Sequence, residues 1–212
     1  MKIGIIGAGA VGGALGRVWA GCGHTIRYGV RNPDSAAARA ALERTPGGAI
    51  VAVSEVAADA DLVLLAVHWP DVPGALESAG DLSGKILIDA TNPLRPDFSD
   101  LEAGYSISGG ERVAEWSRGA RVYKAFNTTA AENMAHPQRF ETRPVMFVAG
   151  DEPDGKAVVM ALVAQSGFEE IDAGPLVSAR LLEPLAMLFI RVAWSTPLGR
   201  DYALGVLTPQ AG

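Results

Sequence analysis

The sequence predicts a doubly wound α/β fold built on a mostly parallel sheet, and three observations support this. Short apolar runs alternate with segments of helical spacing, the order typical of parallel sheets that carry helices on both faces. A glycine-rich turn joins the first apolar run to the first helical segment. The run at 61–67 is almost wholly apolar, as expected of a central strand that is buried on both faces.

The first strand–helix–strand unit occupies residues 1–33. Residues 2–6 are apolar and rich in β-branched side chains, which favours a buried strand. A Gly-x-Gly-x-x-Gly turn follows, helical spacing extends to residue 20, and a second strand is predicted at 24–30. The three glycines of such a turn permit, in order, a tight turn, the approach of a pyrophosphate and close packing of helix on sheet. We therefore expect a dinucleotide at the helix N-terminus, bound by Gly7, Ala8, Gly9, Ala10, Val11 and Gly12.

The rest of the chain continues the alternation. Apolar runs bounded by polar or turn residues predict strands at 49–53, 61–67, 85–90, 121–126, 144–149 and 168–172. Helical spacing predicts helices at 34–44, 71–79, 108–118, 153–166 and 176–195. The first of these helices is alanine-rich and ends at a Thr-Pro-Gly-Gly break. We expect a Rossmann-type domain over 1–175 and a small C-terminal helical extension over 176–212.

The composition excludes several classes of protein. A net charge of −6 and a pI near 5.1 argue against binding of nucleic acid, which requires a basic surface. The single cysteine, Cys22, rules out an internal disulfide framework and a cysteine-built metal site, and it fits a reducing cytoplasm. No stretch reaches the roughly 18–20 apolar residues of a membrane span, because Arg191 interrupts the best one. We expect a cytoplasmic protein without metal, nucleic acid or membrane partners.

Ligands of doubly wound sheets lie beyond the carboxyl ends of the strands, so the residues there are candidate contacts. The fourth to sixth predicted strands end in Val67, His68, Trp69, Thr91, Asn92, Pro93 and Asn127. His68 is either a proton donor or an ordinary polar residue, and Trp69 either stacks on a ring or packs in the core. Asn92 precedes a proline, in a turn that would leave its amide free for a nicotinamide or its ribose. No Asp, Glu, Cys or Tyr is expected at these ends, so no catalytic residue is assigned.

The end of the second strand bears on the choice of nucleotide. An NAD site usually has Asp or Glu there to hold the ribose hydroxyls, whereas this chain has Arg31 followed by Asn32. A carboxylate would repel a 2′-phosphate, and a guanidinium can bind one in bidentate fashion. Unless Arg31 is only a solvated surface charge, the sequence favours NADP(H).

Four spaced motifs carry a family resemblance that covers nearly the whole chain. They are the glycine turn at 7–12, Val-Arg-Asn-Pro at 30–33, Asp-Ala-Thr-Asn-Pro-Leu at 89–94 and Val-Tyr-Lys-Ala-Phe-Asn-Thr at 122–128. Together they resemble the deazaflavin-dependent NADP oxidoreductase family, and the pattern is similar to the cytosolic domain of the Steap metalloreductases. The resemblance implies a Rossmann domain with a small helical part, hydride transfer between NADPH and coenzyme F-420 or a flavin, and often a dimer. Val30 replaces the serine common in the family, which removes one possible hydroxyl contact to the 2′-phosphate.

The sequence therefore predicts an NADPH-dependent oxidoreductase that passes hydride to a small-molecule, flavin-like or deazaflavin acceptor. Hydride transfer between two rings needs proximity, stacking and a dry pocket more than it needs a protein base. Two alternatives stay open: a non-catalytic NADP(H) sensor or interaction module, and a reductase of a small imine or β-hydroxy acid. Lys124 lacks the Tyr-x-x-x-Lys spacing of short-chain dehydrogenases, and Glu183 and Arg191 are expected to share one face of the last helix.

The last predicted helix is apolar on nearly every side. Such a helix must be buried on more than one face, and a single domain offers only one. The pattern therefore predicts a homodimer built on this helix, and burial wholly within one subunit is the alternative.

Overall fold

The computed structural model describes residues 1–209, so the last three residues of the predicted 176–212 extension lie outside the described residues. The strands are β1 (Lys2–Ile6), β2 (Thr25–Gly29), β3 (Ala49–Val51), β4 (Leu62–Leu65), β5 (Ile86–Asp89), β6 (Arg121–Lys124), β7 (Val145–Gly150) and β8 (Glu169–Asp172). The helices are α1 (Ala10–Gly21), α2 (Ala36–Glu43), α3 (Val72–Ala79), α4 (Gly109–Trp116), α5 (Ala131–Ala135), α6 (Pro153–Gln165) and α7 (Ala179–Ser195). Each predicted element is present, with its ends displaced by a few residues at most, as is usual for ends that fray.

All eight strands form one sheet in the order β3-β2-β1-β4-β5-β6-β7-β8. Every neighbouring pair is parallel except β6 and β7. The predicted doubly wound, mostly parallel fold is confirmed. The chain reverses its direction of travel across the sheet beside β1, and this switch point opens a crevice at the carboxyl ends of β1 and β4.

The hydrophobic core has two parts, one on each face of the sheet. In β4, Leu62 and Leu64 face the part that contains Trp19, whereas Val63 and Leu65 face the part that contains Trp69. This alternation follows from the two-residue period of a strand. All four side chains of β4 are buried, which explains why its sequence is continuously apolar.

The antiparallel β7 and the short α5 do not follow from the sequence pattern. The chain leaves β6 at its carboxyl end, passes through the five-residue α5, and enters β7 from that same end of the strands. Because the chain does not cross to the opposite end of the strands, β7 must run antiparallel to β6. The 13-residue α6 then provides the crossover that makes β8 parallel to β7.

The C-terminal segment returns to the sheet after α7. The backbone N–H of Val145 donates to the carbonyl oxygen of Leu204 at 2.9 Å. Tyr202 stacks on Phe189 at 4.4 Å between ring centroids, and its hydroxyl donates to the Phe189 carbonyl oxygen at 2.7 Å. Within residues 1–209, no helix combines the length and apolar character needed to cross a bilayer. The division of the chain after residue 175 into a Rossmann-type domain and a C-terminal extension stays a prediction.

Candidate dinucleotide site

The glycine turn between β1 and α1 meets three separate steric demands. Gly7 has a φ of +102°, and a Cβ there would lie 2.5 Å from the carbonyl oxygen of Ala66. A Cβ on Gly12 would overlap the carbonyl oxygen of Gly7, so only glycine lets α1 begin this close to the strand. A Cβ on Gly9 would meet no atom of the described chain within 4 Å. Gly9 therefore faces open space in which a phosphate group could approach the backbone.

The N-terminus of α1 lies beside this space. Its first turn carries no acidic side chain, and within the described chain no side chain caps it. The first N–H groups of a helix have no intrahelical acceptor, and the helix dipole adds positive potential at the same end. By contrast, α4 begins with a complete capping box made by Ser108 and Glu111. The end of α1 is therefore suited to bind an anion.

Two cavities flank the glycine turn. One, of about 520 Å³, lies at the carboxyl ends of β1, β2 and β4, and its lining includes Gly7, Ala8, Gly9, Arg31, Asn32 and Val67. The other, of about 540 Å³, lies between α1, α2 and α5 and shares Ala8 and Gly9 with the first. Ala10 lines this second cavity, whereas Val11 and Gly12 line neither. Six of the fifteen predicted nucleotide contacts therefore line the 520 Å³ cavity, and the predicted contacts from His68 to Asn127 line neither cavity.

Arg31 lies on the rim of the 520 Å³ cavity, beside a carboxylate. Its Nη1 donates to Asp71 Oδ1 at 2.9 Å, and the two side chains are 79% and 36% exposed. Asn32 is held by its own turn, because its Oδ1 accepts from the N–H of Asp34 at 2.9 Å. Ser35, which also lines the cavity, caps α2. A cation, an amide and a hydroxyl therefore surround the place where a ribose phosphate would be bound.

Two carboxamides join the ends of β5 and β6. Asn92 Nδ2 donates to the carbonyl oxygen of Asn127 at 2.9 Å, and Asn127 Nδ2 donates to Asn92 Oδ1 at 3.0 Å and to the Leu182 carbonyl oxygen at 3.1 Å. The expectation that the Asn92 amide is free was wrong, because Asn127 engages it. Asn127 Oδ1 is buried without a hydrogen-bond partner in the described chain. An N–H or O–H of a bound ligand could satisfy this oxygen.

Phe126 turns the chain into Asn127. Its φ of 60° is rare for an aromatic residue, and its N–H donates to the sulfur of Met146 at 3.2 Å. The ring is buried and packs edge-on against Trp19, with 5.7 Å between ring centroids. Packing of the ring therefore holds a backbone conformation that is costly by itself, as is common at ligand sites.

A fully buried ion cluster is linked to the amide pair through Thr91. Lys124 Nζ lies 2.7 Å from Asp89 Oδ2 and 2.7 Å from Glu183 Oε1, and all three side chains are 0% exposed. Lys124 Nζ donates to the Thr91 carbonyl oxygen at 2.9 Å, and Asp89 Oδ1 accepts from the Thr91 N–H and hydroxyl. Burial disfavours the charged amine, but the two carboxylates together raise the pKa of Lys124 above its usual value. With the amine protonated and both carboxylates ionised, the cluster carries one net negative charge.

Glu183 connects this cluster to the start of α4. Its Oε2 and Oε1 accept from the N–H groups of Gly109 and Gly110 at 2.8 and 2.9 Å. The expectation that Glu183 and Arg191 share a face was wrong, because Arg191 is exposed and donates to the Ser99 carbonyl oxygen at 3.1 Å. Eight residues turn a helix by about 80° beyond two full turns, which is enough to separate core from solvent.

The expectation that no acid ends the fourth to sixth strands was also wrong. Asp89 is the last residue of β5, and Lys124 is the last residue of β6. Both are buried and paired, so neither faces a cavity as a proton donor or acceptor. Thr91 and Pro93 are buried as well, and they support the site from the core.

Trp69 and His68 separate at the end of β4. The Trp69 ring lies 5.4 Å from that of Trp116, and its Nε1 donates to Glu102 Oε2 at 3.0 Å. Of the two alternatives, core packing is therefore the one observed, because the Trp69 side chain is buried against Trp116. His68 is exposed, and its neighbour Val67 lines the 520 Å³ cavity.

Sequence comparisons identify related oxidoreductases. Residues 2–93 match the model of a family described as coenzyme F-420-dependent NADP oxidoreductases. The metalloreductase STEAP3 of Rattus norvegicus is 28% identical over 197 residues, and STEAP2 of Homo sapiens is 27% identical over 199 residues. These alignments cover 92% and 93% of the chain but only 38% of each metalloreductase.

Similar solved structures extend over the whole chain. A protein from Arthrobacter sp. FB24, named as a candidate F-420-dependent NADP reductase, has 30% identity and a TM-score of 0.90 over 98% of this chain and 100% of its own. A hypothetical protein from Sinorhizobium meliloti has 30% identity and a TM-score of 0.73, covering 84% and 87% of the two chains. A reductive aminase from Aspergillus terreus, solved with NADPH, has 22% identity and a TM-score of 0.67, covering 91% and 62%. The last of these shares the fold alone.

Proposed function

Because the chain belongs to the family of coenzyme F-420-dependent NADP oxidoreductases, we propose that it binds NADP(H) and transfers hydride between this dinucleotide and a flavin or deazaflavin. One observation carries the proposal. Gly9 leaves open space at the uncapped N-terminus of α1, on the wall of a cavity that also contains Arg31. A phosphate site and a cation for a second phosphate therefore share one crevice.

The residues that line the 520 Å³ cavity suit the pyrophosphate and adenosine parts of NADP(H). The backbone of residues 9–12 would hold the pyrophosphate, because the glycines clear a path and the helix N-terminus supplies N–H groups. Arg31, Asn32 and Ser35 would hold the adenosine ribose and its 2′-phosphate. The unpartnered Oδ1 of Asn127 would accept a hydrogen bond from the carboxamide or ribose of the nicotinamide half.

The chain's contribution to the reaction is orientation and exclusion of water. When bound, NADPH supplies a hydride from its nicotinamide ring. The Asn92–Asn127 pair is fixed by three hydrogen bonds, so it can position a ring without reorganising. Asp89, Lys124 and Glu183 are paired with one another in the core, and neither amide titrates. Asn92 and Asn127 therefore act by position rather than by proton transfer.

Two glycine substitutions test the dinucleotide site. Gly9→Val places a side chain where a Cβ meets no atom of the described chain, so folding is preserved while the phosphate path is blocked. Each lost charge-assisted hydrogen bond is expected to cost about 1.5–3 kcal/mol, so NADPH affinity should fall by roughly 10- to 100-fold. Gly21→Ala, in equally open space at the other end of α1, is the control and should bind NADPH as the wild type does. Unchanged NADPH affinity in Gly9→Val would contradict the proposed site.

An acceptor panel tests the chemistry separately from binding. We expect NADPH oxidation with FMN or coenzyme F-420 and none with a cyclic imine. NADPH binding without turnover on any acceptor would favour a sensor or interaction module. Turnover on the imine alone would favour an imine reductase.

We also propose that the chain forms a homodimer through the outer face of α7. Leu181 and Leu188 lie two turns apart on one side of this helix and are 68% and 57% exposed. Trp194, which is 62% exposed, lies about a third of a turn round from Leu188 and packs edge-on against Phe98 with 6.1 Å between ring centroids. Large apolar side chains exposed two turns apart on one side of a helix favour an interaction site. Sedimentation should give twice the chain mass of 22.0 kDa, and Leu188→Glu should give the monomer. A wild-type monomer at micromolar concentration would contradict the dimer.

A cytoplasmic location stays a prediction.

A further inference from the structure

A carboxylate lies next to the cation that the proposed function assigns to the 2′-phosphate. Arg31 follows β2, and Asp71 directly precedes α3, so two separate elements bring the pair together. Both residues line the 520 Å³ cavity, and Arg31 Nη1 donates to Asp71 Oδ1 at 2.9 Å. Within the described chain Arg31 makes no other side-chain hydrogen bond, so its remaining N–H groups can still receive a ligand.

The end of β2 has no acidic residue, but the Asp71 carboxylate lies beside it, near the position of the acidic residue in an NAD site. In an NAD site a carboxylate at this place accepts hydrogen bonds from the ribose hydroxyls. In an NADP site a guanidinium binds the 2′-phosphate, and a nearby carboxylate repels it. The Arg31–Asp71 pair contains both recognition groups.

We propose that Asp71 is a specificity-determining residue that lowers the preference for NADP(H) over NAD(H). The inference rests on the proposed dinucleotide site. A 2′-phosphate must share Arg31 with the Asp71 carboxylate or displace it, which weakens NADPH binding. A ribose without this phosphate meets no repulsion and can donate a hydroxyl to the same carboxylate, which strengthens NADH binding. The chain therefore binds both nucleotides, with a moderate preference for NADPH.

The substitution Asp71→Asn tests this role because it keeps the shape of the side chain and removes its charge. Dissociation constants for NADPH and NADH are measured by equilibrium fluorescence titration at low salt and at 0.5 M salt. We expect NADPH to bind about 3- to 10-fold more tightly in the variant, the size of effect seen for partly exposed charges. NADH should bind about 2- to 5-fold more weakly, because the ribose hydroxyl then donates to a neutral amide oxygen instead of an ionised carboxylate. The gain for NADPH should shrink at high salt because the charges are screened.

Asp59→Asn is the matched control. Asp59 pairs with Arg27 at 3.4 Å on the surface, and neither residue lines the cavity, so this variant changes net charge equally without touching the site. The NADPH-to-NADH affinity ratio should stay at the wild-type value in Asp59→Asn and rise by about 6- to 50-fold in Asp71→Asn. An unchanged ratio in Asp71→Asn, or an equal rise in both variants, would overturn the inference while the proposed function stands. A wild-type protein that binds neither nucleotide would overturn the proposed function itself.

Discussion

Substitution of Lys124 by methionine should destabilise the fold far more than substitution of Glu183 by glutamine. Lys124 is the only cation in a cluster with two carboxylates, and all three side chains are 0% exposed. Lys124→Met changes the buried charge from −1 to −2. Glu183→Gln changes it from −1 to 0, and the amide oxygen can still accept from Gly109 or Gly110. The two substitutions therefore move the buried charge in opposite directions.

The size of the effect follows from the burial. Removal of one partner from a buried ion pair costs about 3–5 kcal/mol, because an uncompensated charge is left in a low dielectric. Loss of one hydrogen bond at a glycine N–H in Glu183→Gln costs about 1–2 kcal/mol. With an unfolding entropy of about 2.1 cal/mol/K per residue, 212 residues give about 0.45 kcal/mol/K. The expected losses in Tm are thus about 7–11 °C for Lys124→Met and about 2–4 °C for Glu183→Gln.

Thermal unfolding followed by circular dichroism, with urea unfolding as a second measure, checks these values. Lys85→Met is the control, because Lys85 donates only to the Ala60 carbonyl oxygen at 3.1 Å and its loss should cost about 1 kcal/mol. The double variant Lys124→Met/Glu183→Gln leaves a single buried carboxylate and should be more stable than Lys124→Met alone. Additive losses in the double variant, or equal losses in the two single variants, would refute the charge argument.

Three further predictions concern the rim of the site and the docking of α7. Arg31→Ala should weaken NADPH binding by about 10-fold and leave NADH binding nearly unchanged, as measured by titration, since one charge-assisted contact is lost from an exposed rim. Arg180, through its hydrogen bonds, lowers the pKa of Glu111 to about 2, so this group stabilises the fold above its usual pKa of 4.5 and loses that effect as pH falls toward 2. In Glu111→Gln the free energy of unfolding, measured with urea, should therefore change less between pH 4.5 and pH 2 than in the wild type. The same pH dependence in both proteins would contradict this prediction. His68→Ala should change turnover by less than about twofold between pH 6 and 8. If the substitution instead removed a steep part of the wild-type pH–rate profile in this range, the reaction would need a protein acid.

The strands and the glycine turn could be predicted because their signals are local. Each strand is a short apolar run, and the positive φ of Gly7 and the close approach of Gly12 to the Gly7 carbonyl are demands within the turn itself. The buried cluster is different, because its members are 35 and 59 positions apart along the chain and no spacing rule connects them. One signal was present: Lys124 lies among apolar residues in β6, and a buried lysine requires an acidic partner.

Strand register would have identified that partner. Asp89 and Lys124 are directly paired in the parallel ladder of β5 and β6, as alignment of the two apolar runs at their carboxyl ends suggests. Glu183 could not be found this way, because the docking of α7 depends on tertiary packing. The same limit applies to Trp69, whose partner Trp116 lies on another helix.

Consecutive residues of α7 make polar contacts with the site and with the buried cluster. The Leu182 carbonyl oxygen accepts from Asn127, and Glu183 binds Lys124 and the start of α4, whereas Leu181 faces outward. Pro184 follows these two residues inside α7, so a displacement of this part of the helix would move the Leu182 carbonyl and the Glu183 carboxylate together. The burial of the ion cluster resists such a displacement, because separating Glu183 from Lys124 would leave buried charges without their partner. The Leu182 carbonyl and the Glu183 carboxylate therefore anchor the first half of α7 beside the Asn127 amide.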